Sequence, residues 1–564
     1  MCEVFHNAQD GYLIWFDFVI QCLAMKLFLS LCFLLVCNTS TATEYFIAPA
    51  GDDSGIGSIT QPWQSLAHGL DQLQVGDTLT IRAGVYRLIE EANFNTLTTA
   101  NITIQGYPGE VVELLGSYGT ANDTWEVYDT NIWRIPADTL NSDPTGMFNG
   151  HQRINHQSDL EGGRDHDHVS QLTTPNHWTK ADANGSQCFA DNSGCYIYLY
   201  PADGELPNTQ VYELSQRGLP RAVADHITLK NLHIYYTQSS PIFFEGADFV
   251  TLENNVFGHI SNGNDNAYAV RIWDSQGSVV RNNKIFDSVY WGGTSNSKGV
   301  SFMVTKIGEP NIVEYNEIYA IPGRSAVGTK GGTSNLIVRY NYIHDVYNAF
   351  EPGGFRCVWS STNNDGCQPT DIEYRPAGDW KIYGNIITNT EVGLRLPAYD
   401  EDNHNNLLYN NVFYNVVSAI EIGWEGSFGS VIANNIFINN EVGIYLQSGG
   451  TTTTVDDYLD QFESHHNLYF NNSHADIHLR PNWGGNFYSG TAYDLVTFQT
   501  EFATREWQSI SADPQFTNHF YLLDSSPAAN NGDASLWDTP TVHIGAHPFT
   551  TLSDLIYANS FENQ

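Results

Sequence analysis

The sequence predicts an all-β solenoid, a single-stranded right-handed parallel β-helix. Two observations predict it. A short phrase, Asn-x-apolar-(aromatic or apolar), recurs behind β-rich residues, with its shorter spacings clustered near 24 residues. The composition also leans towards strands and turns, with Gly (48), Tyr (31) and Phe (29) plentiful and Met scarce at 4. With 41% hydrophobic and only 15% charged residues, the chain can bury a large core, and wholesale disorder is excluded.

The phrase appears as Asn231-Leu-His-Ile, Asn254-Asn-Val-Phe, Asn283-Lys-Ile-Phe, Asn316-Glu-Ile-Tyr and Asn341-Tyr-Ile-His. It continues as Asn385-Ile-Ile-Thr, Asn411-Val-Phe-Tyr, Asn435-Ile-Phe-Ile and Asn467-Leu-Tyr-Phe. A unit of this size holds three short strands and their turns at roughly 3.3 Å per residue. One unit cannot bury its own apolar face, so coils must stack, each pairing in parallel with the next. The repeated Asn is expected at an inward turn, its amide bonded to the equivalent amides above and below.

The remaining elements follow in order. Residues 1–42 read as an upstream extension plus an export signal whose true start is Met25. Met25-Lys26 is followed by the apolar run Leu27 to Val36 and by the small residues Ser40-Thr41-Ala42, too short a run to span a bilayer. The expected location is secreted or periplasmic, and no later stretch reads as a membrane span. Residues 43–547 are assigned to the β-helix. Pro62-Trp63 begins a segment with Leu66, Leu70 and Leu73 on one helical face, expected to cap the first coil. Residues 118–220 break the repeat and are expected to form a loop or hairpin insertion, with Trp125, Trp133 and Trp178 in it. Residues 548–564 are left as a C-terminal tail. Two close cysteine pairs, Cys188/Cys195 and Cys357/Cys367, suit local disulfides better than a four-thiolate metal site.

Several stretches carry a resemblance. Tyr45-Phe-Ile-Ala-Pro-Ala-Gly-Asp-Asp, Gln61-Pro-Trp-Gln-Ser-Leu and Gly76-Asp-Thr-Leu-Thr-Ile-Arg-Ala-Gly-Val-Tyr86 resemble the opening of the secreted pectate-lyase-like β-helix superfamily. Ala512-Asp-Pro-Gln-Phe516, Ser526-Pro-Ala-Ala529 and Ile544-Gly-Ala546 resemble its closing segment. The resemblance implies the fold and a carbohydrate partner. It leaves the reaction open, since that superfamily holds lyases, hydrolases and proteins without known activity.

Charge narrows the partners. The formal net charge of -39 would repel nucleic acid and anionic membranes, so neither is an expected partner. Yet twelve basic residues lie between Arg271 and Arg395, matched there by twelve acids, and the next basic residue is Arg480. A cationic groove midway along the solenoid would suit an acidic polysaccharide, read by a monomer.

Within that region Lys306 and Lys330 lie 10 and 11 residues before their repeat asparagines, Asn316 and Asn341. That count places them at nearly equivalent points of consecutive coils, about 4.8 Å apart, where each would disfavour the other's charge and make a usable base. Uronate β-elimination needs a cation on the carboxylate, a base for the C5 proton and an acid for the departing O4. Lys330 is the expected base, with Lys306 beside it and Gly331-Gly332 leaving room for substrate. Arg324, Arg356 and Arg395 are candidate carboxylate clamps, with Arg271 and Trp291 as further substrate contacts. His344 or a nearby Tyr is the expected proton donor. The Lys-then-Arg order on successive coils resembles the alginate lyase and chondroitinase-B-like lyases. Those enzymes place acidic calcium ligands just before the Lys, where this chain reads Arg324-Ser-Ala-Val-Gly-Thr-Lys330, so calcium is left open as a cofactor.

Two other readings stay open. A glycoside hydrolase needs two carboxyl groups about 5–9.5 Å apart, for which Asp274, Glu309, Glu351, Glu421 and Glu425 are candidates. A non-catalytic adhesin would use Trp273, Trp291, Trp359 and Trp424 as sugar platforms. The cluster His151, His156, His166 and His168 with Asp165 and Asp167 matches no metal-ligand spacing and reads as a solvated loop, so no metal site is assigned.

Overall fold

The structure, a computed structural model, describes residues 42–90, 95–156, 168–186, 188, 192–262, 266–290, 297–306, 308–330, 333–352, 378–396, 405–423, 429–447, 459–460, 462–480, 488–516, 520–536 and 542–546. The expected export segment and the tail at 548–564 lie outside these residues, as do the side chains of Tyr290 and Lys330.

Each coil supplies three short strands. A first sheet of twelve strands runs in parallel from Glu44–Ile47 to Phe462–His465. From it the chain turns through a left-handed residue such as Asn231, Asn282 or Asn434 into a second sheet, which includes His233–Tyr235, Lys284–Phe286 and Ile386–Thr388. A second left-handed corner, at His259, Asp287, Asp345 or Asn389, leads into a third sheet. Its strands include Phe243–Glu245, Tyr268–Ser275, Lys298–Thr305, Val392–Leu396 and Ser418–Gly423. Two long strands, Glu317–Lys330 and Tyr342–Glu351, belong to both sheets, and their mutual register shifts between Ile321 and Ser325. Asn tolerates the left-handed region because its short polar side chain bonds locally, which is why asparagine marks so many corners.

The expected amide ladder exists. Asn255, Asn283, Asn316, Asn341, Asn385, Asn411, Asn435 and Asn467 are buried, and each Nδ2 but that of Asn467, where the ladder ends, donates to the next Oδ1 at 2.9–3.2 Å. Each Nδ2 also donates to a carbonyl of the preceding coil, as Asn316 does to Val280 at 2.9 Å. The repeat phrase is one residue out of step at its first two occurrences. Asn231 and Asn254 are left-handed corner residues (φ 58° and 56°), and the ladder begins at Asn255, below which Leu232 stands. Inside the coil, like residues stack on like: Phe413, Phe437 and Tyr469 follow one another at centroid distances of 5.4 and 4.9 Å. Each such fully buried side chain contributes roughly 1.5–3 kcal/mol.

Both ends carry a short helix. Leu66–Gln72 is N-capped by Ser65 and buries Leu66 and Leu70 against the first coils. Leu495–Glu501 is capped by Asp494 and sets Phe498 beside Ile444, Leu446 and Ile477.

Between Leu115 and Gln216 the chain leaves the solenoid for a mostly antiparallel sheet of eight strands. This sheet has its own core around Trp125, Ile135, Trp178, Leu199 and Tyr212, and the Cys188–Cys195 disulfide borders it. Cys357 and Cys367 lie outside the described residues. The sheet docks on the solenoid through Arg153, whose guanidinium reaches Asp287 (2.9 Å), Ser261 Oγ (2.7 Å) and the Ile260 carbonyl (3.1 Å).

Candidate functional site

The third sheet gathers charge on its outer face. Strand pairing sets Phe243, Arg271, Ser301, Gly328 and Glu351 in one row across successive coils. Phe350 pairs with Leu394, so Arg395 stands next in the row, and Arg395 pairs with Glu421. The flanking Val270, Ile272, Val300, Phe302, Phe350 and Leu394 are fully buried in the core, so alternation turns the row outward.

Glu351 is the hub. Its carboxylate accepts from Arg324 Nε at 2.9 and 2.7 Å and from Nη2 at 2.7 Å. Burial pushes this carboxyl up, but the Arg324 hydrogen bonds and the charges of Lys298, Arg324 and Arg395 outweigh it and hold its pKa below the usual range. Lys298 is only 3% exposed, rare for lysine. Its chain runs over Gly328, where a Cβ would meet Lys298 Cδ and Cε at 3.1 Å, and its Nζ donates to the Thr329 carbonyl at 2.9 Å. Arg395 Nε donates to Glu421 at 2.8 Å, and its guanidinium sits 5.7 Å from the Tyr347 ring centroid. Arg271 lies 4.1 Å from the Phe243 ring centroid. Three cations, Lys298, Arg324 and Arg395, thus act on one buried carboxylate, with Arg271 further along the row, while Arg324 keeps 44% of its side chain exposed. Around the neighbouring corner runs an open groove of about 730 Å³, lined by Tyr347, Glu391, Glu441 and the amides of Asn389, Asn415 and Asn439.

The structure brings Arg271, Arg324 and Arg395 to this face and revises the lysine pair. Lys330 is paired with Met303, not with Lys306. Lys306 lies three residues further on, where its Nζ is bound to Asp248 Oδ1 at 2.7 Å and the Gly246 carbonyl at 3.1 Å. It is a tied ion pair of another corner and does not sit beside Lys330. His344 belongs to the second sheet, seven residues before Glu351, stacked on Tyr319 at 4.9 Å and bonded to Asp345 at 2.7 Å. Burial pushes its imidazole down, but Glu317 and Asp345 more than offset this and raise its pKa. Tyr347, exposed beside Arg395, is better placed as a proton donor on this face. Lys298 and Tyr347 were not singled out by the sequence.

Arg356, Trp291, Trp359, Trp424 and Glu425 lie outside the described residues. Trp273 is half-buried against Phe243. Asp274 stands in the left-handed region one residue before its strand ends and Glu309 lies exposed in a bend, both at the far corner of the coil. The expected histidine loop is not a unit. His156 is buried edge-on to Trp178, His151 is exposed and bonded to buried His259 at 3.0 Å, and His166 lies outside the described residues.

Comparison with known proteins agrees with this architecture. The family described as right handed beta helix region matches residues 221–364. No curated protein sequence matches the chain. Among solved structures, the chain is similar to XylC in complex with xylose, with a TM-score of 0.54 and 13% identity, over 84% of this chain and 87% of that one. It is similar to a glycoside hydrolase with a TM-score of 0.50 and 10% identity, over 82% of this chain and 99% of that one. Against pectate lyase Pel9A the TM-score is 0.40 at 11% identity, over 90% and 96% of the two chains. These likenesses concern architecture. By fold, the chain belongs with the right-handed parallel β-helix proteins.

Proposed function

We propose that this chain is a carbohydrate-active enzyme that cleaves a uronate-containing polysaccharide by β-elimination on the outer face of the third sheet. One observation carries the reading: Lys298, Arg324 and Arg395 converge on Glu351, with Arg271 further along the same row, within a chain of net charge -39. A sugar carboxylate laid on this face meets the exposed side of the Arg324 guanidinium, whose Nε and Nη2 also serve Glu351, and its charge offsets that of the sugar. Neutralising that carboxylate acidifies the C5 proton. Lys330, in the strand position paired with Met303, is assigned as the base, and Tyr347 as the donor to the departing O4. The groove lined by Asn389, Asn415 and Asn439 offers amides to the hydroxyls of adjoining sugar rings. The export expected from Met25 to Ala42 would place this activity outside the cytoplasm.

The test is absorbance at about 235 nm, where an unsaturated uronyl end absorbs, during incubation with alginate, pectate and chondroitin, with and without calcium. A rise that disappears in Lys330→Ala establishes elimination and its base. A flat trace accompanied by new reducing ends would replace this reading with hydrolysis. Glu351 and Glu421 favour that second reading by position, since two rungs put them roughly 9.6 Å apart, at the upper edge of an inverting pair. Their chemistry disfavours it, because Glu351 is held ionised by Arg324 and Glu421 is bound to Arg395. A flat trace with no new ends on any of these polymers would leave binding as the function.

A further inference from the structure

A second cluster of reactive side chains lies near the C-terminal end, on the corner between the first and second sheets. His465 ends the strand Phe462–His465, and His466 follows it in the left-handed region (φ 51°). Successive strand residues normally point to opposite faces. The left-handed turn instead brings the two rings together, with Nδ1 of His465 only 2.9 Å from Nδ1 of His466. Both rings are buried. Asp533, from the closing segment, sets Oδ2 3.9 Å from His465 Nδ1, and the three ligating atoms all lie within 4.8 Å of one another.

The surroundings hold these groups in place. Asp533 Oδ1 accepts the Ser535 N–H at 2.8 Å. The Asp533 backbone is pinned twice to Asn434, its N–H donating to Oδ1 at 2.7 Å and its carbonyl accepting from Nδ2 at 3.0 Å. Trp507 stacks on His465 at 4.5 Å and meets His466 edge-on at 4.6 Å, fixing both rings and shielding them on one side. Two imidazole nitrogens this close need a shared proton or a shared cation. A zinc ion with bonds of about 2.0–2.1 Å separates its ligands by roughly 3.3 Å, within reach of the 2.9 and 3.9 Å found here.

We infer that His465, His466 and Asp533 bind one divalent transition-metal ion, zinc by donor type, which clips the closing segment to the last coils of the solenoid. Two imidazoles and one carboxylate form a donor set for zinc or its neighbours rather than for calcium, which takes six to eight oxygens. The clip joins residues 67 apart in sequence, so its loss would free a long loop.

The experiment uses the full chain, stripped with a chelator, dialysed and titrated with Zn²⁺ by calorimetry, while thermal unfolding is followed with and without the metal. One zinc per chain and a higher unfolding temperature are expected, with affinity at least about tenfold weaker in Asp533→Asn and in His466→Gln. Asp533 is partly exposed, so its variant should fold even if the histidine variant does not. Co²⁺ substitution should give a visible absorption band that both variants lose. Zinc binding of equal strength in wild type and Asp533→Asn would assign the metal to scattered surface acids and overturn the site, as would a chain that binds no zinc.

Discussion

Two carboxylates of this solenoid, the half-buried Asp287 and the buried Glu351, are each held by an arginine, and they differ in how open the arginine is to solvent. Asp287 receives Arg153 from the inserted sheet at 2.9 Å and His259 at 2.7 Å. Burial pushes its carboxyl up, and the charges and hydrogen bonds of Arg153 and His259 bring it below the ordinary value. The same guanidinium is also spent on Ser261 and the Ile260 carbonyl, and only 18% of the arginine side chain stays exposed. Glu351 receives Arg324 with equally close contacts, but that arginine is 44% exposed. The first pair is a joint between two parts of the protein. The second presents a cation to whatever enters from solvent. Pairing alone therefore does not mark a site, whereas pairing with a half-open cation does.

The comparison breaks most visibly at the joint. Arg153→Ala leaves Asp287 charged and half-buried with only His259 beside it. Removing one partner of such a pair costs about 3–5 kcal/mol. Chemical denaturation should show that loss, while turnover per folded molecule stays unchanged. A fall in turnover as large as the fall in stability would erase the distinction drawn here. Arg324→Ala should do the reverse, lowering kcat/KM on the cleaved polyuronate by about 10²- to 10³-fold. Its stability cost should be smaller than that of Arg153→Ala, because Lys298 and Arg395 still act on Glu351. Arg324→Lys should not restore activity, since an ammonium cannot reproduce the bidentate contact.

Gly328 gives a finer test of the same face. A Cβ there would lie 2.3 Å from Ser325 Oγ and 3.1 Å from two carbons of Lys298. Gly328→Ala should therefore push Lys298 off the sheet and lower activity by about tenfold, with roughly 1–3 kcal/mol of packing strain. Steady-state kinetics beside a denaturation curve separates the two effects. Activity unchanged by this substitution would remove Lys298 from the site.

The coil was legible because its period is written in asparagine, and Asn283, Asn316 and Asn341 do form the ladder. The phrase slipped at Asn254-Asn255 because both positions favour the same residue, one for its tolerance of positive φ and one for its amide. The lysine pair failed for a related reason. Met303 lies thirteen residues before Asn316, whereas its partner Lys330 lies eleven before Asn341, so the connection back to the ladder differs by two residues between adjacent coils. Counting from the ladder therefore misplaces anything on the far side of a variable turn. Strands carry register reliably only where no loop intervenes. Lys298 was hidden differently: a lysine in Lys298-Gly-Val-Ser reads as a strand edge, and only the facing Gly328, one coil away, makes room to bury it.

The inserted sheet and the outer face should also part in their response to acid. His156 lies in the core of the insertion, and burial, with a smaller push from nearby His177, lowers its pKa from 6.5 to about 3. The folded imidazole is therefore neutral at a pH where the unfolded one takes up a proton. Between pH 6.5 and about 3 the unfolded state binds the extra proton, so stability falls as pH falls, by at most about 1.4 kcal/mol per unit from this group. Below the folded value both states are protonated and the contribution is flat. Glu351 works lower in the range: its depressed pKa contributes stability above the ordinary carboxylate value, lost only as pH falls through the folded one. A probe of the insertion, such as Trp178 fluorescence, should thus begin to weaken near pH 6, before the coil that carries Glu351 responds. His156→Gln removes the titration while keeping a polar side chain, and should flatten that early slope. An unchanged slope in the variant would mean that acid loosens the insertion through its carboxylates rather than through this histidine.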